Sequence, residues 1–362
     1  MKTSRKSGGR LIRRLSFDEA LALYQSDDIF NLASSASAAA ERVNGRNAYY
    51  VRNVHVNPTN LCVNRCAFCA FSRSKGQEGA YELTIPQILK LIKKAGPISE
   101  AHIVGGLHPE WDFDYYVHLV SKIKTAFPKL HIKAFTAAEI DYMHRTSGIP
   151  VGDILCTLKK AGVESMPGGG AEIFNEAVRG RLCPEKISGE RWLEIMEIAH
   201  ETGIKTNATM LYGHHESLED RVDHLMRLRA LQDKTGGFQA FIPLPYQPTG
   251  RQMDVDERPA SSGIDDLKTI AVSRLVLDNF PHIKAYWVML GEKVSQLALR
   301  FGADDLDGTI MEERISYAAA GKSRRSIKVP ELEELIRRAG KKPVERDSFY
   351  RAVRKRKGAA GK

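Results

Sequence analysis

Cysteine is scarce in this chain: five in 362 residues, three of them bunched within eight positions. That is too few and too uneven for a secreted disulfide framework. No run of eighteen apolar residues occurs, so no membrane span is expected. The amino-terminal stretch is basic but lacks the apolar core of a secretory signal, and a reducing cytoplasm is the expected compartment. Acidic residues are missing from both ends. Residues 1–14 carry Lys2, Arg5, Lys6, Arg10, Arg13 and Arg14, and residues 351–362 carry Arg351, Arg354, Lys355, Arg356, Lys357 and Lys362, with no Asp or Glu in either stretch. Taking these twelve from the 54 basic residues leaves 42 against 44 acidic ones, so the net charge of +10 belongs to the ends and the body is near neutral. The ends read as solvated extensions, and nucleic acid is not an expected partner.

Short β-rich apolar runs alternate with longer amphipathic ones. Strands are expected at 52–56, 101–104, 131–135, 163–166, 205–209, 238–242 and 283–287. Helices are expected at 85–94, 115–126, 189–201 and 218–232. This rhythm predicts an α/β fold, a complete or partial TIM-type (β/α) barrel of parallel strands. The expected division is a basic tail and helices over 1–45, the barrel over 46–290, a helical extension over 291–345 and a second basic tail over 346–362. Residues 288–340 read as helices and turns. In such a barrel the chemistry sits at the carboxyl ends of the strands. There the sequence places Gly105-Gly106-Leu107-His108, Thr136 with Glu139, Pro167-Gly168-Gly169-Gly170-Ala171-Glu172, Tyr212-Gly213-His214-His215-Glu216 and Pro245-Tyr246-Gln247-Pro248.

After the first strand come Cys62, Cys66 and Cys69, spaced C-x3-C-x2-C, with Phe68 just before the last. A tight loop with three thiolates suits three corners of a [4Fe-4S] cubane and leaves one iron free. Structural zinc in a non-enzymatic binding protein is the alternative. It needs a closed set of four ligands, and only His55 stands ready to join, because Cys156 and Cys183 lie alone in other segments. Cys156 falls in a helical apolar pattern and is expected in the core; Cys183 reads as incidental. The adjacent His214 and His215 cannot both face one metal from a regular element.

The cysteine loop resembles that of the radical S-adenosylmethionine (SAM) enzymes, whose motif is C-x3-C-x2-C with an aromatic before the last cysteine. The resemblance implies that SAM chelates the free iron and yields a 5′-deoxyadenosyl radical on one-electron reduction, with flavodoxin or ferredoxin as electron donor. It implies SAM contacts from Phe68, Gly105, Gly106, Glu172, Leu211 and Arg181, with Arg179 close by. Stretches at 100–110, 131–140, 166–174, 188–192, 206–214 and 305–309 resemble one subgroup, which contains aminofutalosine synthase, dehypoxanthine futalosine cyclase and the deazaflavin (FO) synthase subunits. The triple glycine at 168–170 and the Lys-Ala-Phe-Thr at 133–136 look most like the aminofutalosine synthases. Pro245-Tyr246-Gln247-Pro248 departs from the subgroup, which has a histidine-containing stretch there. What the likeness implies is a transferase of menaquinone biosynthesis that joins the deoxyadenosyl group to 3-[(1-carboxyvinyl)oxy]benzoate, giving 6-amino-6-deoxyfutalosine with loss of CO2. The cyclase and FO synthase alternatives begin with hydrogen abstraction. An aromatic dicarboxylate calls for cationic or neutral donors, for which His55, His108, Thr136, His214 and Arg251 are candidates. Tyr246 or Trp287 is a candidate to stack on its ring. A third alternative, recruitment of RNA to a radical methyltransferase by the basic tails, has no recognisable RNA module behind it.

Overall fold

The computed structural model describes residues 14–248, 261–320 and 326–353, with short backbone stretches at 6–7 and 10–11. Two helices, α1 (Phe17–Gln25) and α2 (Ile29–Asn44), precede strand β1 (Asn47–Val51). Ser16 caps α1 in a reciprocal box with Glu19. Seven strands then form one parallel sheet in chain order: β2 (Asn53–Val56), β3 (Glu100–Ile103), β4 (His131–Ala134), β5 (Val163–Met166), β6 (Lys205–Tyr212), β7 (Phe238–Pro245) and β8 (His282–Ile283). Helices cross between them, among them α3 (Ile85–Lys94), α4 (Phe113–Ala126), α5 (Ala137–Ser147), α6 (Val151–Ala161), α7 (Glu176–Leu182), α8 (Gly189–Glu201), α9 (Leu218–Thr235) and α10 (Gly263–Val276). Strand, helix and parallel strand in strict succession curl the sheet into a partial barrel. Among the described residues no helix is long and apolar enough to cross a membrane.

The seven expected strands are all present, and the seventh is shortened. Residues 284–285 bridge to Asp305 instead of extending the strand, and Trp287 opens α11 (Trp287–Ala298) with its indole N–H on the Gly308 carbonyl at 2.9 Å. The carboxyl-terminal third is more than helices and turns. It contributes β9 (Asp305–Gly308) and β10 (Lys342–Glu345), which flank β1 in a second parallel sheet, besides α12 (Ile315–Ala320) and α13 (Val329–Arg338). The segment that begins with β9 also touches both edges of the large sheet, through bridges Lys284–Asp305 and Val54–Met311.

The inward faces of the first strands are polar. Register pairs Asn53 with Glu100 and Glu100 with His131, and one step on it pairs His55 with His102 and His102 with Lys133. The alternate residues Val54, Val56, Ala101, Ile103, Ile132 and Ala134 are fully buried in the core. Residues 346–353 are not a loose basic tail. Arg346 is wholly buried, donates to Asp305 at 2.7 Å and lies 4.1 Å from the Tyr350 ring, which stacks on His282 at 3.6 Å. Phe349 meets His131 edge-on at 4.8 Å, and Gln239 donates to the Ser348 carbonyl at 3.0 Å. His131, Gln239, His282 and Asp305 all lie at the amino ends of their strands, so this segment stoppers the barrel opposite the mouth. At the other terminus Arg14 is likewise anchored, donating to Asp233 and Asp278 at 2.5–3.1 Å.

Candidate active site

Strand β2 delivers the chain to the mouth, where the loop before α3 is pinned by its own polar side chains. Asn60 bonds the Gly79 carbonyl and the Tyr81 amide, both at 2.8 Å, and Thr59 donates to the Tyr81 carbonyl at 2.9 Å. Backbone bonds fix the cysteine segment on two sides: Val63 to Leu107 at 3.0 Å and Ala67 to Leu182 at 2.8 Å. The amide of Arg65 also donates to Glu185. Gly106 is demanded by this packing, because a Cβ there would lie 2.1 Å from the Leu61 carbonyl oxygen.

Cys62, Cys66 and Cys69 all line one cavity of about 280 Å³, and all three are free thiols. Among the described residues, no three His, Cys, Asp or Glu side chains are gathered closely enough for a single metal ion. The cysteines instead share a wall, an arrangement that fits separate corners of a cubane. The Cys66 thiol is drawn down to about 7, first by a hydrogen bond with Cys183 and, against burial, by the charge of Lys186. That favours the thiolate that binds iron. Cys183 is therefore a buried neighbour of the loop and not an incidental residue. Cys156, expected in the core, is exposed, on the side of α6 opposite buried Ile154, Leu155 and Leu158.

Phe68, Gly105, Gly106, Glu172, Leu211, Thr136 and Tyr246 line the same cavity. Glu172 has φ +45°, a left-handed backbone in a non-glycine residue, which turns its carboxylate inward. Arg179 does not reach the cavity. Its buried guanidinium donates to the carbonyls of Ala171 (2.5 Å), Ile173 (3.0 Å), Gly170 (3.3 Å) and Ile187, clamping the glycine loop from behind. Arg181 is exposed on α7 and is absent from the cavity wall. Among the described residues the cation there is Lys186, which no sequence pattern singled out. Its ammonium lies 2.7 Å from Glu172 and 5.2 Å from the Phe68 ring. Burial works to neutralise this pair; its mutual attraction, with further charges, holds Glu172 below and Lys186 well above their usual values.

A deeper cavity of about 170 Å³ runs into the barrel and shares Thr136, Gly169, Thr209, Leu244 and Tyr286 with the first. His55 lines it and is bonded through Nδ1 to Glu313, which raises its pKa against burial. Thr136 lines both cavities while capping α5 in a box with Glu139. Glu139 also accepts from the Gly105 amide at 3.2 Å, and burial pushes its carboxyl up to about 7 despite these bonds.

Three sequence candidates lie elsewhere. His108 is buried against Glu82 at 2.5 Å and stacked on Trp111 at 4.2 Å, outside both cavities. His214 is turned away, with Nε2 on the Leu211 carbonyl at 2.9 Å and Nδ1 beside Glu216 at 2.9 Å. Trp287 is core. Arg251 falls outside the described residues. Besides Lys186, the walls include Gln247, Tyr286 and Met289, and in the deep chamber His102 and Asn207. The inward alternation along β3 was the available signal for His102.

Comparison with known proteins fits this geometry. Residues 56–228 match the Radical SAM superfamily model, and residues 235–358 match the CofH/MqnC C-terminal region. The chain is 46% identical over 346 residues to an aminodeoxyfutalosine synthase of Thermus thermophilus, covering 94% of this chain and 93% of the relative. It is 43% identical to the aminodeoxyfutalosine synthase of Streptomyces coelicolor, covering 98% and 93%. It is also 40% identical to a 5-amino-6-(D-ribitylamino)uracil–L-tyrosine 4-hydroxyphenyl transferase of Methanococcoides burtonii, covering 93% and 95%. In fold it is similar to methylornithine synthase, with a TM-score of 0.73 at 17% identity over 91% of this chain and 94% of that one. On its cysteine loop, its parallel barrel and these relatives together, the chain belongs to the radical SAM superfamily, enzymes that work with a [4Fe-4S] cluster and SAM.

Proposed function

We propose that this radical SAM enzyme is an aminodeoxyfutalosine synthase, joining the 5′-deoxyadenosyl group of SAM to 3-[(1-carboxyvinyl)oxy]benzoate with loss of CO2. The observation that carries the reading is end-to-end identity of 46% and 43% with two proteins of that name. When bound, the cluster supplies the electron that splits SAM to the deoxyadenosyl radical. Cys62, Cys66 and Cys69 hold three of its irons. Lys186, not Arg181, takes the methionine carboxylate, and Glu172 accepts from the ribose hydroxyls. Phe68 and Leu211 offer apolar contact to the adenine, and the Gly105-Gly106 backbone admits the amino group. The two joined cavities hold the aryl substrate below the cofactor, out of bulk water, where a primary alkyl radical meets only its target. Tyr246 and Gln247 stand where the subgroup's histidine is expected, so that contact is an aromatic ring and a carboxamide in this chain. Flavodoxin or ferredoxin is the reductant in this reading.

A second reading is favoured by 40% identity to the tyrosine 4-hydroxyphenyl transferase. Anaerobic incubation of cluster-reconstituted enzyme with SAM, reductant and the enol-pyruvyl benzoate, followed by mass spectrometry, tests the choice. A covalent adenosyl adduct that has lost CO2 is expected. Stoichiometric free 5′-deoxyadenosine with no adduct, or product only from tyrosine and the aminouracil, overturns the assignment.

A further inference from the structure

The deep chamber is lined by both apolar and polar side chains. Gly168 and Gly169 line it; a Cβ would lie 2.8 Å from the Ala208 backbone at the first, which admits no side chain, and 3.0 Å from the Thr136 methyl at the second, a tight contact. Ile242, Leu244 and Tyr286 add apolar surface. Its volume of about 170 Å³ suits one substituted aromatic ring, since a cavity of roughly 150 Å³ accepts benzene.

Among its polar wall residues two side chains stand apart from the rest. Asn207 is only 3% exposed, yet its carboxamide has no hydrogen-bond partner among the described residues. His102 is part-buried and also lacks a hydrogen-bond partner among the described residues, though its ring packs 4.5 Å from that of His55. Among the described residues the charged groups beside them are engaged. Glu100 bonds Lys133 at 2.8 Å, Asp307 bonds Asn53 at 3.1 Å and Lys284 at 3.3 Å, and Glu313 bonds His55. Two polar side chains that face one cavity without a hydrogen bond to the described residues are free to meet a ligand there, and the buried one, Asn207, argues for it most strongly.

We infer that the deep chamber seats an aromatic carboxylate of the substrate, with the carboxamide of Asn207 and the imidazole of His102 as its anchors. The inference rests on the proposed reaction for the substrate's identity, and on the chamber for its orientation. A carboxylate has two oxygens for two donors. His102 faces the cations His55 and Lys133 and the acids Glu100, Asp307 and Glu313, and those acids already have partners. Burial, then the charge of its two basic neighbours, keeps it neutral with a pKa of about 3. An incoming anion supplies the counter-charge that is missing, so His102 gains a proton as the carboxylate docks. A phenol or an amide brings no such charge.

Benzoate is the probe, added to the cluster-reconstituted full chain. Calorimetry in two buffers of different ionisation heat, near neutral pH, is expected to show binding with proton uptake, and benzamide to bind at least about tenfold more weakly. His102→Gln is expected to abolish the uptake and weaken benzoate about tenfold, and Asn207→Leu to weaken it as well, while SAM affinity is unchanged. Equal binding of benzamide or phenol, absence of proton uptake, or unaltered benzoate affinity in His102→Gln overturns the inference. The wild-type comparison of benzoate with benzamide does not depend on how the variants fold. Failure here with adenosyl adduct still formed condemns only the seating; benzoate binding without adduct condemns the proposed reaction instead.

Discussion

Replacing Lys186 by methionine keeps the length of the side chain and deletes its charge. In the protein alone, Glu172 then loses the cation 2.7 Å away. Breaking a buried ion pair from one side costs about 3–5 kcal/mol. Side-chain exposures of 16% for Lys186 and 11% for Glu172 place the loss near the lower end, about 3 kcal/mol. With an unfolding entropy of ~2.1 cal/mol/K per residue, that lowers the melting temperature of a chain this long by about 4 °C. For SAM, one charge-assisted contact is lost, worth about 1.5–3 kcal/mol, or roughly tenfold to a hundredfold in affinity. The two effects separate in the double variant Lys186→Met with Glu172→Gln. Removing the stranded carboxylate returns most of the stability, but SAM binding stays weak. Arg181→Met serves as the control and is expected to change neither. Anaerobic equilibrium dialysis with SAM and thermal melts of the same reconstituted samples read both quantities. Unaltered SAM affinity in Lys186→Met, or an equal loss in Arg181→Met, refutes the assignment of the cation.

Gly106→Ala places a methyl against the Leu61 carbonyl and is expected to cost about 1–3 kcal/mol and to lower iron content after reconstitution, whereas Gly105→Ala, 3.3 Å from the Thr59 carbonyl, is milder; equal iron content in the two variants contradicts this. Arg179→Met leaves four carbonyls behind the glycine loop without their donor and is expected to destabilise by about 3 kcal/mol, measured by denaturant unfolding. Stability also falls in mild acid. Burial holds His102 and His224 to about 3 and His131 and His200 to about 4. The unfolded chain takes up their protons near 6.5 while the folded one does not, so each contributes a loss of about 1.4 kcal/mol per pH unit as pH drops below about 6.5. His55, raised by Glu313 against burial, acts in the opposite sense only above about 6.5, and Glu139, pushed up to about 7, takes up its proton in the folded state alone through this range; together they offset roughly two of the four. A net loss of about 3 kcal/mol between pH ~7 and ~5.5 is expected in urea titrations, and equal stability at both contradicts it.

The barrel strands and the cysteine loop were legible because each is written locally. Val163–Met166 and Gly189–Glu201 coincide with their expected spans, since β-rich composition and a 3.6-residue repeat are short-range signals. Strands β9 and β10 were not legible. Asp-Leu-Asp-Gly and Lys-Pro-Val-Glu have little strand character, and they pair only because β1 lies between them. The site divides in the same way. Phe68, Gly105, Gly106, Glu172 and Leu211 came from motif positions and do line one cavity. Arg181 and Lys186 lie five positions apart, and only the path of the chain after α7 decides which of them turns inward. His108 and His214 were drawn to the mouth by their loops, but Glu82 and the Leu211 carbonyl hold them elsewhere.

The small sheet sets a schedule for biosynthesis. Tyr49 pairs with Asp305 and with Val344, partners roughly 250 and 300 positions downstream. At about 5–20 residues per second of translation, this early strand waits roughly 15–60 s for its second neighbour to emerge. Meanwhile both of its edges are open to other nascent chains, and closing so long a loop is slow in any case. Heterologous yield should therefore depend on chaperone supply and induction temperature more steeply than the stability of the finished enzyme suggests.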